Sequence, residues 1–249
     1  MHFEALADTY LKTRYLEDVV RSYPRLERNE LVLDMLPQVD RARILVIGCG
    51  PGPLIPQVIR RGFAYCGLDV SLKNLRIARE TNRTTGFWLT EGDAEELPFQ
   101  DNCFDVTLAV GVVEYVPNLP GVLQEMVRVT RNKGILIISF PHNLSPARIW
   151  SENFFYPIRN RIKRILRNES ILNYKRNMIS FPQFTALVHS LNCTIVDSVF
   201  FDLRLMPPPV GSLFPGFNYR LNRYARNRST AAFYKMLASE FVIKAAKLY

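Results

Sequence analysis

The stretch ILVIGCGPGPLIPQVIRRG, Ile44 to Gly62, decides the fold. It opens on a short aliphatic run suited to a buried strand. Gly48, Gly50 and Gly52 follow at alternate positions, and helical spacing resumes near Leu54. A strand that ends in Gly-Cys-Gly-Pro-Gly and feeds a helix is a tight turn whose missing Cβ atoms let the backbone approach a ligand, with helix N–H groups beyond it. A dinucleotide site and a purely structural connection are both open at this point.

On either side of the turn the hydrophobic period switches repeatedly between short strands and amphipathic helices. Strands are predicted at Ile44–Ile47, Ala64–Leu68, Phe87–Thr90, Val106–Val110 and Gly134–Phe140, with helices near 54–61, 72–81 and 119–130. Strands joined by helical crossovers pair in parallel, which predicts an α/β sheet. Upstream, FEALADTYLKTRYLEDVV and RLERNELVLDML read as two N-terminal helices, the second closed by Pro37. Downstream of Phe140, Pro141, Pro146 and Pro157 break the pattern, and a basic, aromatic segment runs to about Asn177. A helix capped by Ser180, a strand in CTIVDSVFF and a last strand in SEFVIKAAK are then expected, with a proline-rich insertion between the two strands.

At 249 residues and 48% hydrophobic, the chain can bury one sizeable core with an appended lid. Its apolar runs fall short of a bilayer span and MHFEALADTY lacks a signal-peptide pattern, so a cytoplasmic protein is expected. Cys49, Cys66, Cys103 and Cys193 form no CxxC pair and fit reduced thiols better than a disulfide frame or a zinc site. The net charge of +9 is concentrated: segments 148–176 and 215–228 together hold twelve Lys/Arg and two Asp/Glu, leaving the remainder near neutral. Two basic segments on a neutral body imply a local anionic contact and not a surface coated for duplex binding.

Asp69 ends the second predicted strand, in GLDVS, where a carboxylate can accept hydrogen bonds from ribose hydroxyls; helix capping is the other use for an acid there. Asp93 follows the third strand, in GDAEELPF, and Glu114-Tyr115-Val116 leaves the fourth. With ILVIGCGPG, GLDVS, GDAEELPF, FDVTLAVGVVEYV and EMVRVTRNKGILIIS in this order, the chain resembles the class I S-adenosylmethionine-dependent methyltransferases, in particular the broad type found in ubiquinone and menaquinone synthesis and small-molecule methylation. The resemblance is strong over about 40–140 and weak near 180–201 and 239–247.

The resemblance implies a Rossmann-like, doubly wound, seven-strand, mostly parallel sheet with the last strand antiparallel. It also implies N-terminal helices over the cofactor site (1–38), a cofactor-binding core (39–141), a basic aromatic lid (142–178) and a C-terminal part of the core (179–249) with a second insertion at about 202–238. S-adenosylmethionine would lie across the strand ends, leaving S-adenosylhomocysteine as product. Gly48, Cys49, Gly50 and Gly52 would flank its methionine part, Asp69 its ribose and Val70 its adenine. Asp93 and Ala94 would meet the adenine amino edge, and Val110 and Gly111 the far side. The family pattern has an acid two residues before the first glycine; Val46 stands there, so an anchor for the cofactor's amino group is missing or supplied elsewhere.

Methyl transfer from a sulfonium needs alignment and dryness more than a base. If a base is used, His142, which follows the fifth strand, and Glu114 are the candidates; each also reads as an ordinary loop residue. Tyr10, Tyr15 and Tyr115 are candidate substrate contacts, with helix packing the other reading of the first two. His189 reads as structural. The segment FFYPIRNRIKRILRN makes a basic amphipathic helix, suited to an anionic membrane, an acidic substrate or an ordinary lid, and MPPPVGSLFPGFNYRLNRYARNR reads as a semi-rigid loop over an apolar acceptor. The expected function is methylation of a lipid-like, aromatic or glycosidic small molecule. A nucleic-acid methyltransferase, disfavoured by the lack of an Asn/Asp-Pro-Pro-Tyr motif, a nicotinamide oxidoreductase and a non-catalytic methyltransferase-like subunit are the alternatives.

Overall fold

The computed structural model describes residues 19–39, 41–83, 85–167, 177, 179–225 and 232–249. In chain order these form α1 (Val19–Asp34), β1 (Arg43–Ile47), α2 (Ile55–Arg60), β2 (Ala64–Asp69), α3 (Leu72–Thr81), β3 (Phe87–Glu91), β4 (Phe104–Ala109), α4 (Leu119–Val129) and β5 (Thr130–Pro141). There follow α5 (Pro146–Trp150), a π-helical turn (Ser151–Phe155), α6 (Tyr156–Arg167), α7 (Phe181–Ser190), β6 (Cys193–Leu203), α8 (Val210–Leu213), α9 (Pro215–Ala225), α10 (Ala232–Leu237) and β7 (Ala238–Lys247).

The strands make one seven-stranded sheet in the order β3-β2-β1-β4-β5-β7-β6. β7 runs antiparallel to both its neighbours, and the pairs from β3 through β5 are all parallel. Alternation along the strands sends side chains into two cores. Leu45, Ile47, Leu136, Ile138 and Phe241 pack with α4 and α7 on one face, through Val122, Met126, Phe184 and Val188. Ile44, Val46, Ile137 and Val242 pack with α1, α2 and α3 on the other, through Val32, Ile55, Val58 and Ala78. β4 is buried along its whole length, as a central strand covered on both faces must be. The strand order reverses between β1 and β4, and the crevice above their carboxyl ends is where such sheets bind ligands.

Three features depart from the sequence reading. Among the described residues α1 covers Val19–Asp34 and runs through Pro24, so the last residues of the first amphipathic run belong to the same helix as RLERNELVLD. The rest of that run, with Tyr10 and Tyr15, lies outside the described residues. β5 begins at Thr130 and not Gly134, because a register shift between Phe104 and Val106, with Lys133 at φ +61°, absorbs the extra residues. The second insertion holds three helices, α8 to α10, where a semi-rigid loop was expected. Asn222 on α9 explains part of this: its amide donates to Leu203 O at 2.9 Å and accepts from Leu203 N at 2.5 Å, fastening the insertion to the end of β6.

Two buried polar side chains at the C-terminal half brace the sheet. Lys247 is 8% exposed, and its ammonium donates to Asn102 Oδ1 (2.8 Å), Val127 O (2.9 Å) and Thr130 O (2.8 Å). Val127 O belongs to the last turn of α4, where a cation also meets the negative end of the helix dipole. His142, directly after β5, donates its backbone N–H to Ser239 O and its Nδ1–H to Ala238 O, at 2.9 and 3.1 Å. Its ring stands edge-on to Phe200 and Phe241, within an aromatic cluster that also contains Phe140, Phe181 and Phe184. Burial pulls the imidazole below its ordinary pKa, and the nearby Arg148 charge adds to this, against the Ala238 bond.

Lys247→Met should cost about 2 kcal/mol in chemical denaturation, because the buried Thr130 carbonyl and two partly exposed acceptors lose a charged donor. His142 should make stability fall with acidification: its pKa is depressed in the folded state, so the unfolded chain binds the proton first. The loss begins as pH drops below about 6.5, the ordinary histidine value. Thermal midpoints of His142→Gln measured from pH 7.5 to 5.5 should show a shallower slope than the parent.

Candidate functional site

The glycine turn is built from backbone that side chains resist. Gly48, Gly50 and Gly52 have φ of +63°, +55° and +76°, in the left-handed region. A Cβ on Gly48 would lie 2.5 Å from Val112 Cγ2, and one on Gly52 would lie 2.5 Å from Ile55 Cδ1. A Cβ on Gly50 would meet nothing within 4 Å. The outer glycines are thus explained by packing, whereas the middle one presents bare backbone to open space at the switch point. Cys49 between them is buried, and its N–H donates to Leu68 O at 2.9 Å. Burial, reinforced by Asp69 and Cys66, pushes its thiol well up, so it packs as a neutral side chain and is not a nucleophile.

Asp69 is 6% exposed and joins the turns above β1 and β2. Its Oδ2 accepts from Gly50 N at 2.7 Å, while Oδ1 accepts from Ser71 N at 2.9 Å and Asn74 Nδ2 at 3.3 Å. It is not the helix cap, for Ser71 caps α3 by accepting from Asn74 N at 3.2 Å. A carboxylate offers about four acceptor positions, so Oδ2 retains capacity for a ligand hydroxyl. Val70 beside it is 59% exposed, an apolar surface next to the acid.

The third strand's exit is fastened to this pair. Gly92 N donates to Asp69 O at 3.2 Å, bringing the exposed Asp93 and the buried Ala94 to the same end of the sheet. Asp93 Oδ1 accepts from Glu95 N, turning the chain into Leu97-Pro98-Phe99. Glu125 on α4 accepts from Leu97 N at 2.8 Å, and Arg128 donates to Leu97 O, Phe99 O, Asp101 and Glu125. The Arg128 hydrogen bond holds the Glu125 carboxyl below its usual range. The Leu-Pro-Phe turn is therefore held by a charged anchor on the next helix.

Val110 and Gly111 lie across the crevice from the glycine turn, linked to it by the Gly48–Val112 contact. Gly111, at φ +68°, donates to Ser139 Oγ at 2.8 Å. A Cβ there would fall 2.5 Å from Arg28 Nη1, so the α1 guanidinium lies flat against this glycine. Arg28 is 3.8 Å from Glu240 on β7, and Glu240 is 3.6 Å from Arg148 on α5. Arg148 is in turn 3.6 Å from Glu152. Glu114 is buried in the turn after β4, and Tyr115, half-buried, donates its N–H to Val112 O at 2.9 Å. Asn177 holds this turn, donating to Glu114 O (2.8 Å) and Val116 O (2.6 Å).

The structure thus gathers Gly48 to Gly52, Asp69, Val70, Asp93, Ala94, Val110 and Gly111 at one end of the sheet, with Glu114 and Tyr115 in the turn beside Gly111. It does not bring His142 to them. The ring is turned to the β6–β7 side, where it lines a cavity of about 250 Å³ with Leu144, Phe181, Phe200, Lys235 and Met236. His189 bonds Cys193 O at 3.1 Å. Val46 is 2% exposed within the α1–α3 core, which requires an apolar side chain there. Arg28, Arg148, Glu240, Ser139 and Asn177 were missed by the sequence reading. Arg28 is one of several charges in RLERNE and Asn177 one residue in a basic run, so no spacing singled them out.

Residues 45–138 match the family described as the methyltransferase domain. The chain is 33% identical over 135 residues to the biotin biosynthesis bifunctional protein BioHC of Cellvibrio japonicus, covering 54% of this chain and 26% of that one. It is 30% identical over 139 residues to a fatty-acid O-methyltransferase of Mycolicibacterium smegmatis, covering 51% of each. The chain therefore spans from about a quarter to about half the length of these two relatives. Its fold is similar over 98% of both chains to a SAM-dependent methyltransferase of Thermotoga maritima, with a TM-score of 0.66 and 19% identity. The ordered motifs, the β7-inserted sheet and the methyltransferase domain at 45–138 support a class I S-adenosylmethionine-dependent methyltransferase.

Proposed function

We propose that the chain transfers a methyl group from S-adenosylmethionine to a small, apolar, lipid-like acceptor. The observation that carries the cofactor half is the open face of Gly50 beside the fixed carboxylate of Asp69. Bare backbone and a hydrogen-bond acceptor at a topological switch point suit a nucleoside whose ribose and charged tail need close approach. Asp69 would take the ribose hydroxyls, Val70 the adenine face and Asp93 the adenine amino group. Arg28, lying on Gly111, would receive the carboxylate of the methionine part.

The cofactor supplies a methyl group on a sulfonium whose departure leaves a neutral thioether. The protein's share is alignment and the exclusion of water. Arg28, Glu240 and Arg148 form a charged row from α1, β7 and α5 beside Gly111, proposed as a roof over the crevice. The acceptor class rests on the apolar, aromatic character of the insertions and on the fatty-acid substrate named for one relative. Tyr115 is proposed to contact it from the β4 turn, and Glu114 to take its proton where the acceptor arrives protonated.

Calorimetric titration tests the cofactor half. The parent should bind S-adenosylmethionine and S-adenosylhomocysteine with Kd in the micromolar range and should not bind NADH. Asp69→Ala should weaken both by about 10- to 100-fold, the loss of charged hydrogen bonds. Gly50→Ala should fold with a penalty of about 1 kcal/mol from its φ, yet bind about 10-fold more weakly because its methyl fills the cradle. Gly48→Ala should be about 3 kcal/mol less stable, since strain and the Val112 clash add. Absence of binding to either sulfur ligand would sink the proposal; methyl transfer from labelled cofactor to fatty acids and phenols then tests the acceptor.

A further inference from the structure

The two insertions expose apolar residues that a lid closing only on its own core would bury. On α6, Ile158, Ile162, Ile165 and Leu166 fall at the i, i+4, i+7, i+8 spacing of one helical stripe, and they are 58%, 50%, 74% and 77% exposed. The stripe extends backward through Phe154 and Trp150, whose rings stack at 5.7 Å. The Trp150 indole donates to Pro208 O at 2.7 Å, tying this ridge to the second insertion. There Val210, Leu213, Phe214 and Phe217 are exposed in turn.

Charge says what covers such a surface. α6 carries Arg159, Arg161, Lys163, Arg164 and Arg167 and no acid, and α9 carries Arg220 and Arg223 and no acid. Arg159, Arg161, Arg164, Arg220 and Arg223 are exposed. A protein partner with an apolar groove would account for the stripe but not for one-signed flanks, and a polyanion such as RNA would account for the cations but not for bare isoleucines. An anionic bilayer accounts for both, because its interface takes apolar side chains below the headgroups and cations at them. No helix among the described residues is long and apolar enough to cross a membrane, so the contact is with the surface.

We propose that α6 and the α8–α9 ridge dock the protein on the surface of an anionic lipid bilayer, with Ile162, Ile165, Leu166 and Leu213 inserted and the arginines at the headgroups. Vesicle binding is read without any methyl transfer, so failure of this proposal and failure of the proposed activity are distinguishable.

The test is co-sedimentation of the full chain with phosphatidylcholine vesicles, with and without phosphatidylglycerol. Binding should require the anionic lipid. Ile165→Asp/Leu166→Asp should reduce the vesicle partition coefficient by about 10-fold or more, as should Arg161→Glu/Arg164→Glu. All four side chains are exposed, and an unchanged thermal midpoint by circular dichroism confirms that each variant is folded. Two results would overturn the proposal: no sedimentation with either vesicle, or sedimentation that ignores the Ile165/Leu166 change and is abolished by competing single-stranded RNA.

Discussion

The Asp69 carboxylate is the joint on which the site depends. One oxygen holds Gly50 N–H and the other holds Ser71 N–H, so a single side chain fixes the turns above two adjacent strands. The glycine turn cannot hold itself: three residues in the left-handed region are favoured by no side-chain packing of their own. What Gly48 and Gly52 lose in conformational freedom, Val112 and Ile55 reward by close contact. Gly50 has no such partner, and its amide is kept in place by the acid. The same carboxylate then does two things, ordering the turn and offering its remaining acceptor capacity to the crevice. Substitution at Asp69 consequently mixes folding with binding, whereas Gly50 separates them.

Much of this was legible in the sequence because it is local. The strand-turn-helix at 44–62, the acid at the end of GLDVS and the Leu-Pro-Phe turn each lie within one short window, and the structure sets them where their spacing implied. Ser180 and Gln183 form a capping box at α7, which a helix-start pattern reveals directly. What escaped depends on contacts between distant residues. Arg28 meets Gly111 and Glu240 across the sheet, and Asn177 holds a turn more than sixty residues upstream, which no periodicity encodes. His142 shows the same limit. Its position after β5 was legible, but the side to which its ring turns is set by Ala238, contributed by the last strand. The proline-rich insertion likewise read as a loop because its helices are short and are fastened to β6 by Asn222.

The proposed roof over the crevice is made of charges that compensate one another. Glu240 lies between Arg28 and Arg148, and the three come from α1, β7 and α5. Buried ion networks are a poor source of stability, since desolvation offsets much of the attraction, but they specify geometry. Here they fix the N-terminal helix and the first insertion to the same β7 residue, so movement of either side of the roof is felt at the other.

The placement of β7 has a consequence for how the chain reaches this state. β7 separates β5 from β6, yet β6 precedes it in the chain and β5 ends at Pro141, nearly a hundred residues before Ala238. A nascent chain that has made β1 to β5 holds a nearly complete parallel sheet with one long hydrogen-bonding edge unsatisfied, and β6 cannot fill it in the native order. Pairing across so large a sequence separation is slow. During that interval the β5 edge is a template for the wrong strand, including β7 from another copy, so the risk of aggregation and strand exchange is concentrated at one edge of the sheet.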